Sequence, residues 1–203
     1  MKSPKYIAIT SGALLINEFE QLLPILSQPG IHEALLLESK ENRYMKVKTE
    51  AARTRIITEI KRRISHLPNE FWNFYSTCNF DQRRILLFFI VLKNYEVTKD
   101  FQFEIVLQKW KRLETSLDTL DLKMRMDELA SKNEEIGSWS ESTQLKVVTV
   151  FLRCLRETGF LKDGKLTKPA NQPSWFWGYF HQIDEAWFLE ACLLSKNERE
   201  QIV

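Results

Sequence analysis

From Thr10 to Thr158 the apolar residues recur three and four positions apart, and only 160–167 alternates as a strand would. That period puts them on single faces of helices. Six glycines and six prolines in 203 residues are too few for a loop-rich β fold. The expectation is all-α: a multi-helix globular bundle with helix-turn-helix elements and one short β-hairpin wing. The longest apolar run, Ile85 to Leu92, has eight residues, whereas a membrane-spanning helix needs about 20. It reads as a buried core helix, and no membrane is expected as a partner.

Start and stop signals divide the chain. Thr10-Ser11 opens a first helix that Pro24 should kink or end, Pro29-Gly30 breaks the chain, and Ile31 to Glu38 reads as a short helix. Thr49 opens a long helix to Leu67, Asn69 to Thr77 an aromatic one, Asn79 or Asp81 caps the buried run, and Thr98 caps the next. Composition shifts near Thr115–Leu120. The expected division is therefore an N-terminal helical subdomain over 1–117 and a C-terminal winged-helix-like subdomain over 118–203. The latter ends in an aromatic tail that should fold back and pack.

One segment carries more than its neighbours. Ser140 is a suitable N-cap, Glu141 to Thr158 a helix, Gly159 its left-handed stop, and Asp163-Gly164 the turn of a two-residue hairpin. At 100° per residue, Leu145, Val148, Phe151, Leu152 and Leu155 form the face expected to be buried. Ser142, Lys146, Thr149, Arg153 and Arg156 form another face, and no carboxylate falls within that stripe. Lys162 and Lys165 flank the turn as a basic wing. Cations of this kind neutralise phosphates, and hydroxyls donate to phosphates or base edges. The alternative is an ordinary amphipathic helix whose wet side is cationic.

A second basic stretch lies earlier. From Lys40 to His66 nine Lys and Arg stand against three Glu, although the whole chain carries only +2. Lys48, Arg55 and Arg62 recur every seven residues opposite the isoleucine face, and Arg43 and Lys46 precede them. This is a candidate phosphate-binding surface. Against it stands simple charge pairing with Glu50 and Glu59 along a solvated helix. Arg53 falls on the apolar side, where a pairing with Glu18 or Glu20 is expected.

Enzyme chemistry finds no support. His32, His66 and His181 have no partners at ligand or triad spacing, and no glycine-rich phosphate loop exists. No catalytic residue, metal ligand or cofactor is assigned. Cys78, Cys154 and Cys192 are odd in number and far apart, which excludes a disulfide framework and points to a reducing cytoplasm. The opening Met1 to Tyr6 precedes no signal-type apolar region. The aromatic groups Phe71–Tyr75 and Trp175–Phe180 could stack on bases, but at helical spacing the core is the commoner place for them.

Several segments together resemble one family: Ile9-Thr-Ser-Gly-Ala-Leu-Leu-Ile-Asn-Glu-Phe19, the stretch Asn42 to Ile64, and Ser138-Trp-Ser-Glu-Ser-Thr143 followed by Leu152 to Leu161. In this order and spacing they resemble the BrxA family, the small helical component of bacteriophage exclusion (BREX) defence systems. The likeness runs over roughly residues 5 to 161. It implies an all-helical cytoplasmic protein with helix-turn-helix elements and a likeness to the NusB fold, working in a system that methylates host DNA and blocks foreign DNA. It brings no catalytic residues. An inner-membrane label sometimes given to the family conflicts with the short apolar runs.

The expected function is thus non-enzymatic binding of double-stranded DNA, mainly through phosphate, by a monomer that also meets other BREX subunits. The alternatives are a protein-binding adaptor that docks other subunits through the aromatic tail, and an RNA-binding protein.

Overall fold

The computed structural model describes residues 6–68 and 70–202. These form two compact units: Leu14 to Asn94, and the segment through Ala13 together with Tyr95 onward. Among the described residues the only regular non-helical structure is one two-stranded hairpin. The all-α expectation holds.

The unit from Leu14 to Asn94 contains α1 (Ile16–Leu26), α2 (Ile31–Glu41), α3 (Glu50–Ile64), α4 (Glu70–Thr77) and α5 (Phe80–Asn94). α1 packs on α2 and α4, and α3 packs on α2 and α5. α1 starts later than its Thr10-Ser11 signal, because Gly12 and Leu15 take positive φ and hold that stretch in a turn. Pro24 lies inside α1, which ends two residues on. Thr49 caps α3, its hydroxyl accepting the Ala52 amide at 3.3 Å. Asn79 and Gln82 cap α5 reciprocally through side chains at 2.9 and 3.0 Å. Ile85 to Leu92 is buried throughout. Asn69, the expected start of α4, lies outside the described residues, as do the first five.

Glu20 does not meet Arg53. Its carboxylate accepts Tyr75 Oη and Arg83 Nη1, each at 2.7 Å, joining α1 to α4 and α5. Burial, and after it the bond to Glu20, pushes the Tyr75 hydroxyl well above its ordinary range. Arg63 is fully buried against Glu59 at 2.8 Å.

The other unit begins with α6 (Glu96–Asp100), a π-helical segment (Phe101–Val106) and α7 (Leu107–Lys111). Thr98 is buried inside α6 rather than capping it. α8 (Thr119–Lys132) opens with a capping box between Asp118 and Asp121, and α9 (Glu134–Gly137) and α10 (Glu141–Thr158) follow. β1 (Leu161–Lys162) and β2 (Lys165–Leu166) come next, then α11 (Ser174–Gln182), α12 (Trp187–Ala191) and α13 (Lys196–Glu200). α10 packs on α8, and α8 on the π segment. Arg125 grips Asp100 with two bonds of 2.7 Å, a bidentate geometry that fixes α8 against α6. The tail does pack: Phe176, Trp177, Tyr179, Phe180 and Phe188 are buried, and Trp175 is 53% exposed.

All three cysteines are free and buried. Burial pushes the Cys78 thiol up to about 11 and holds that of Cys192 well above its ordinary range, which suits inert core residues. No helix among the described residues is long and apolar enough to cross a membrane.

Candidate nucleic-acid interface

The helix signalled by the sequence is formed as its ends demand. Ser140 Oγ accepts the Thr143 amide at 3.3 Å, and Gly159 closes α10 with φ 90°, a conformation that favours glycine. Val147, Val148, Val150, Phe151, Leu152, Cys154, Leu155 and Thr158 are buried. Phe151 meets Phe101 of the π segment at 5.5 Å between ring centres. Leu145 departs from the expectation of burial and is 46% exposed. Leu152, two turns on at the same edge, is covered, so neighbouring chain, not helical angle, decides the difference.

Ser142, Lys146, Thr149, Arg153 and Arg156 are all exposed. The stripe is not free of acid, however. Glu157 lies at its border and accepts from Arg153 Nε at 2.6 Å. Two hydroxyls are also engaged: Thr149 Oγ1 donates to the Leu145 carbonyl at 2.8 Å, and Ser142 Oγ lies 3.0 Å from Ser140 Oγ.

Beyond Gly159 the chain reverses through Asp163 (φ 51°) and Gly164 (φ 74°), the left-handed pair that a tight hairpin requires. Leu161 pairs with Leu166 and Lys162 with Lys165. The leucines are buried and the lysines exposed. The hairpin has a third partner that the sequence did not signal. Leu117 donates its amide to the Gly164 carbonyl at 3.0 Å, Leu166 donates to Thr115 at 2.6 Å, and Ser116 bridges Lys165. The connection between α7 and α8 therefore lies alongside the hairpin, held by an isolated bridge and two backbone hydrogen bonds. Lys146, Arg156, Lys162 and Lys165 are not ion-paired among the described residues.

The second basic stretch, in the other unit, divides between the α2–α3 loop and α3. Arg43, Lys46, Lys48, Arg55 and Arg62 are exposed. Arg43 pairs with Glu41 at 2.5 Å and Arg62 with Glu59 at 3.1 Å, so two of these five cations already have acids beside them.

The loop itself is rigidly built. Buried Glu38 accepts the backbone amides of Arg43, Tyr44 and Met45 at 2.9–3.0 Å. Buried Arg53 donates to the carbonyls of Ser39, Val47 and Lys40 at 2.8, 2.9 and 3.4 Å. Arg53 is thus structural, as expected, but its partners are backbone carbonyls and not an acid. Asn42 and Lys46 both stand at φ 54°, and Asn42 Oδ1 accepts the Val47 amide at 3.0 Å. Asn tolerates that conformation, whereas Lys pays about 1–2 kcal/mol for it.

No group of three or more His, Cys, Asp or Glu among the described residues is placed to hold a metal ion.

The same architecture occurs in an uncharacterized protein from Magnetospirillum magneticum of known crystal structure. The TM-score is 0.74 at 17% identity, covering 93% of this chain and 98% of that one, which establishes a shared fold. A protein of Bacillus cereus (strain H3081.97) named BREX protein BrxA is 24% identical over 167 residues, 81% of this chain and 82% of its own length. The sequence profile of the BrxA family matches residues 5–176. With most of its length matched, the chain belongs to the BrxA family.

Proposed function

We propose that this protein is a non-enzymatic DNA-binding component of a BREX phage-defence system, holding duplex DNA mainly through phosphate contacts. It acts in the cytoplasm as a monomer, without cofactor, beside other BREX subunits. In this reading residues 118–203 are the winged-helix-like part, with α8 and α10 as the helix-turn-helix, α10 as the reading helix and β1–β2 as the wing. Residues 1–117 are the NusB-like part and carry the Arg43–Arg62 surface.

The observation that carries the reading is the register of the wing. Lys162 and Lys165 stand directly opposite each other. Like charges so placed destabilise a strand pair, and a phosphate between them relieves the repulsion. The exposed Lys146, Arg153 and Arg156 on α10, immediately before the wing, extend the same kind of surface. Helix-turn-helix proteins insert such a helix into the major groove.

The test is a mobility-shift assay on random duplex DNA across a salt series, with wild type and Lys146→Glu/Arg153→Glu. Wild-type affinity should fall steeply with salt through counterion release. The double variant should lose binding at an unchanged melting temperature, since the one ion pair it breaks is exposed and worth about 0.3–0.5 kcal/mol. Unchanged binding would refute the assignment of α10. Competition with structured RNA separates the RNA-binding alternative.

A second reading, the protein-binding adaptor, is favoured by Trp175, which stays 53% exposed while its aromatic neighbours are buried. It calls for tight, salt-insensitive association with another BREX subunit, lost on Trp175→Ala.

A further inference from the structure

Between the hairpin and α11 the chain runs from Thr167 to Pro173 without regular secondary structure. Pro169 and Pro173 account for this. Each lacks an amide hydrogen, and each biases the residue before it towards extended backbone. The Thr167 amide still donates to the Phe160 carbonyl at 2.9 Å. From Lys168 to Gln172, however, no backbone group bonds to another backbone group among the described residues. The segment is a strap with free donors at Lys168, Ala170, Asn171 and Gln172.

The strap forms one wall of a cleft of about 400 Å³, a size within the range of ligand sites. Buried Trp177, Leu194 and Ile202 supply its apolar lining. Two charged residues line it, Lys168 and Glu198, and they are paired with each other. The Glu198 carboxylate also takes the Ser195 amide and hydroxyl, each at 2.8 Å. These bonds, that to Lys168 foremost, hold the carboxyl down at about 2. The charges of the cleft are thus committed to each other, which disfavours a charged occupant.

Gln172 lines the same cleft and is buried. Its Nε2 donates to the Ala170 carbonyl at 2.7 Å, whereas its Oε1 has no partner among the described residues. A buried amide oxygen left in this state is costly until a donor meets it. Asn171 and Gln201 add two exposed amide side chains to the lining. Amide side chains donate and accept as peptide groups do. Free main chain, amide side chains, an apolar recess and no spare charge are together complementary to one kind of ligand. Extended peptides bind in this manner, with affinity from main-chain bonds and specificity from a side-chain pocket.

We propose that the cleft between the 168–173 strap and α13 binds an extended peptide segment of a partner protein, pairing with its main chain and seating one uncharged apolar side chain on Trp177. This deepens the protein-binding reading above, on which its biological use rests, by naming the chemistry of what is bound. Trp175 does not line the cleft, so the two can fail separately.

The experiment titrates the full chain with acetylated, amidated tripeptides Ala-Xaa-Ala, where Xaa is Leu, Glu or Lys, and follows amide and indole resonances by NMR. The Leu peptide should shift the Trp177 indole and the Ala170, Asn171 and Gln172 amides, saturating below about 10 mM. Exchange of those three amides with solvent should slow at saturation. The Glu and Lys peptides should bind at least about tenfold more weakly, because the cleft has no free counter-charge. Gln172→Leu should weaken the Leu peptide by about fivefold, through one lost hydrogen bond. Absence of saturable shifts, equal binding of a charged peptide, or unslowed exchange at saturation each overturns the inference, and the last two need no variant. Any of these leaves the association through Trp175 untouched. If peptide binds as expected but no BREX subunit associates, the inference stands and the adaptor reading falls.

Discussion

Glu38 and Arg53 hold one loop from its two hydrogen-bonding sides. The carboxylate takes three backbone amides and the guanidinium satisfies three backbone carbonyls. Both side chains are buried, at 2% and 8% exposure. Between them they stand in for the secondary structure that the α2–α3 connection lacks, because a buried backbone polar group without a partner is costly.

Removing either residue should therefore destabilise the fold well beyond an ordinary loop substitution. Glu38→Ala and Arg53→Ala are each expected to cost about 2–4 kcal/mol, since several backbone groups lose their partners at once. Arg53→Lys should recover little, because an ammonium cannot reproduce the forked geometry. Urea unfolding midpoints check this, and a loss below about 0.5 kcal/mol would show that the loop holds without them.

Lys46 carries a backbone strain that its neighbours impose, at φ 54°. Strain of this kind tends to persist where a side chain is needed for function. Lys46→Gly should raise stability by up to about 1 kcal/mol, as glycine adopts that conformation freely. Duplex affinity should fall about fivefold at 0.15 M salt, the effect of one lost phosphate contact. Calorimetry and a binding isotherm on the same sample separate the two, and a gain in both would leave Lys46 without a role in binding.

Gly137 ends α9, at the turn that leads into α10. A Cβ there would lie 2.8 Å from the Ala130 carbonyl oxygen of α8, a backbone atom that cannot turn aside. Gly137→Ala should cost about 1–3 kcal/mol through this forced separation. It should also weaken duplex binding more than the loss of folded protein explains, by tilting α10. Binding measured well below the melting temperature tests the second part.

Much of this arrangement was legible in the sequence, wherever the signal was local. Ser140, Gly159 and the Asp163-Gly164 pair each act within four residues of their own position, and the structure places a cap, a stop and a turn there. The apolar period gave the helices, although Leu15 and Gly12 delay the first one by their positive φ. What needed the folded chain was partnership at a distance. The carbonyls that Arg53 serves, the acid that Arg83 meets, and the backbone bonds that residues 115–117 make to the hairpin depend on chain brought in from elsewhere. Leu145 shows the same limit from the other side. Its helical angle suits the core edge, but the cover that Leu152 receives does not extend to it. Among the proposed contacts, residue types and exposure were readable, whereas the engagement of Arg153 by Glu157 and of Thr149 by its own helix was not.

The bridge that residues 115–117 make to the hairpin has a mechanical meaning. Bonds from Leu117 and to Thr115 anchor the tip to the chain entering α8, so the wing is braced and not left to flap. A ligand that meets it finds the lysines already in position and has little motion to freeze out. Preorganisation of this sort favours tight association without a conformational step. Encounter should then run at the pace of diffusion and electrostatic steering, with no slow adjustment of the loop afterwards.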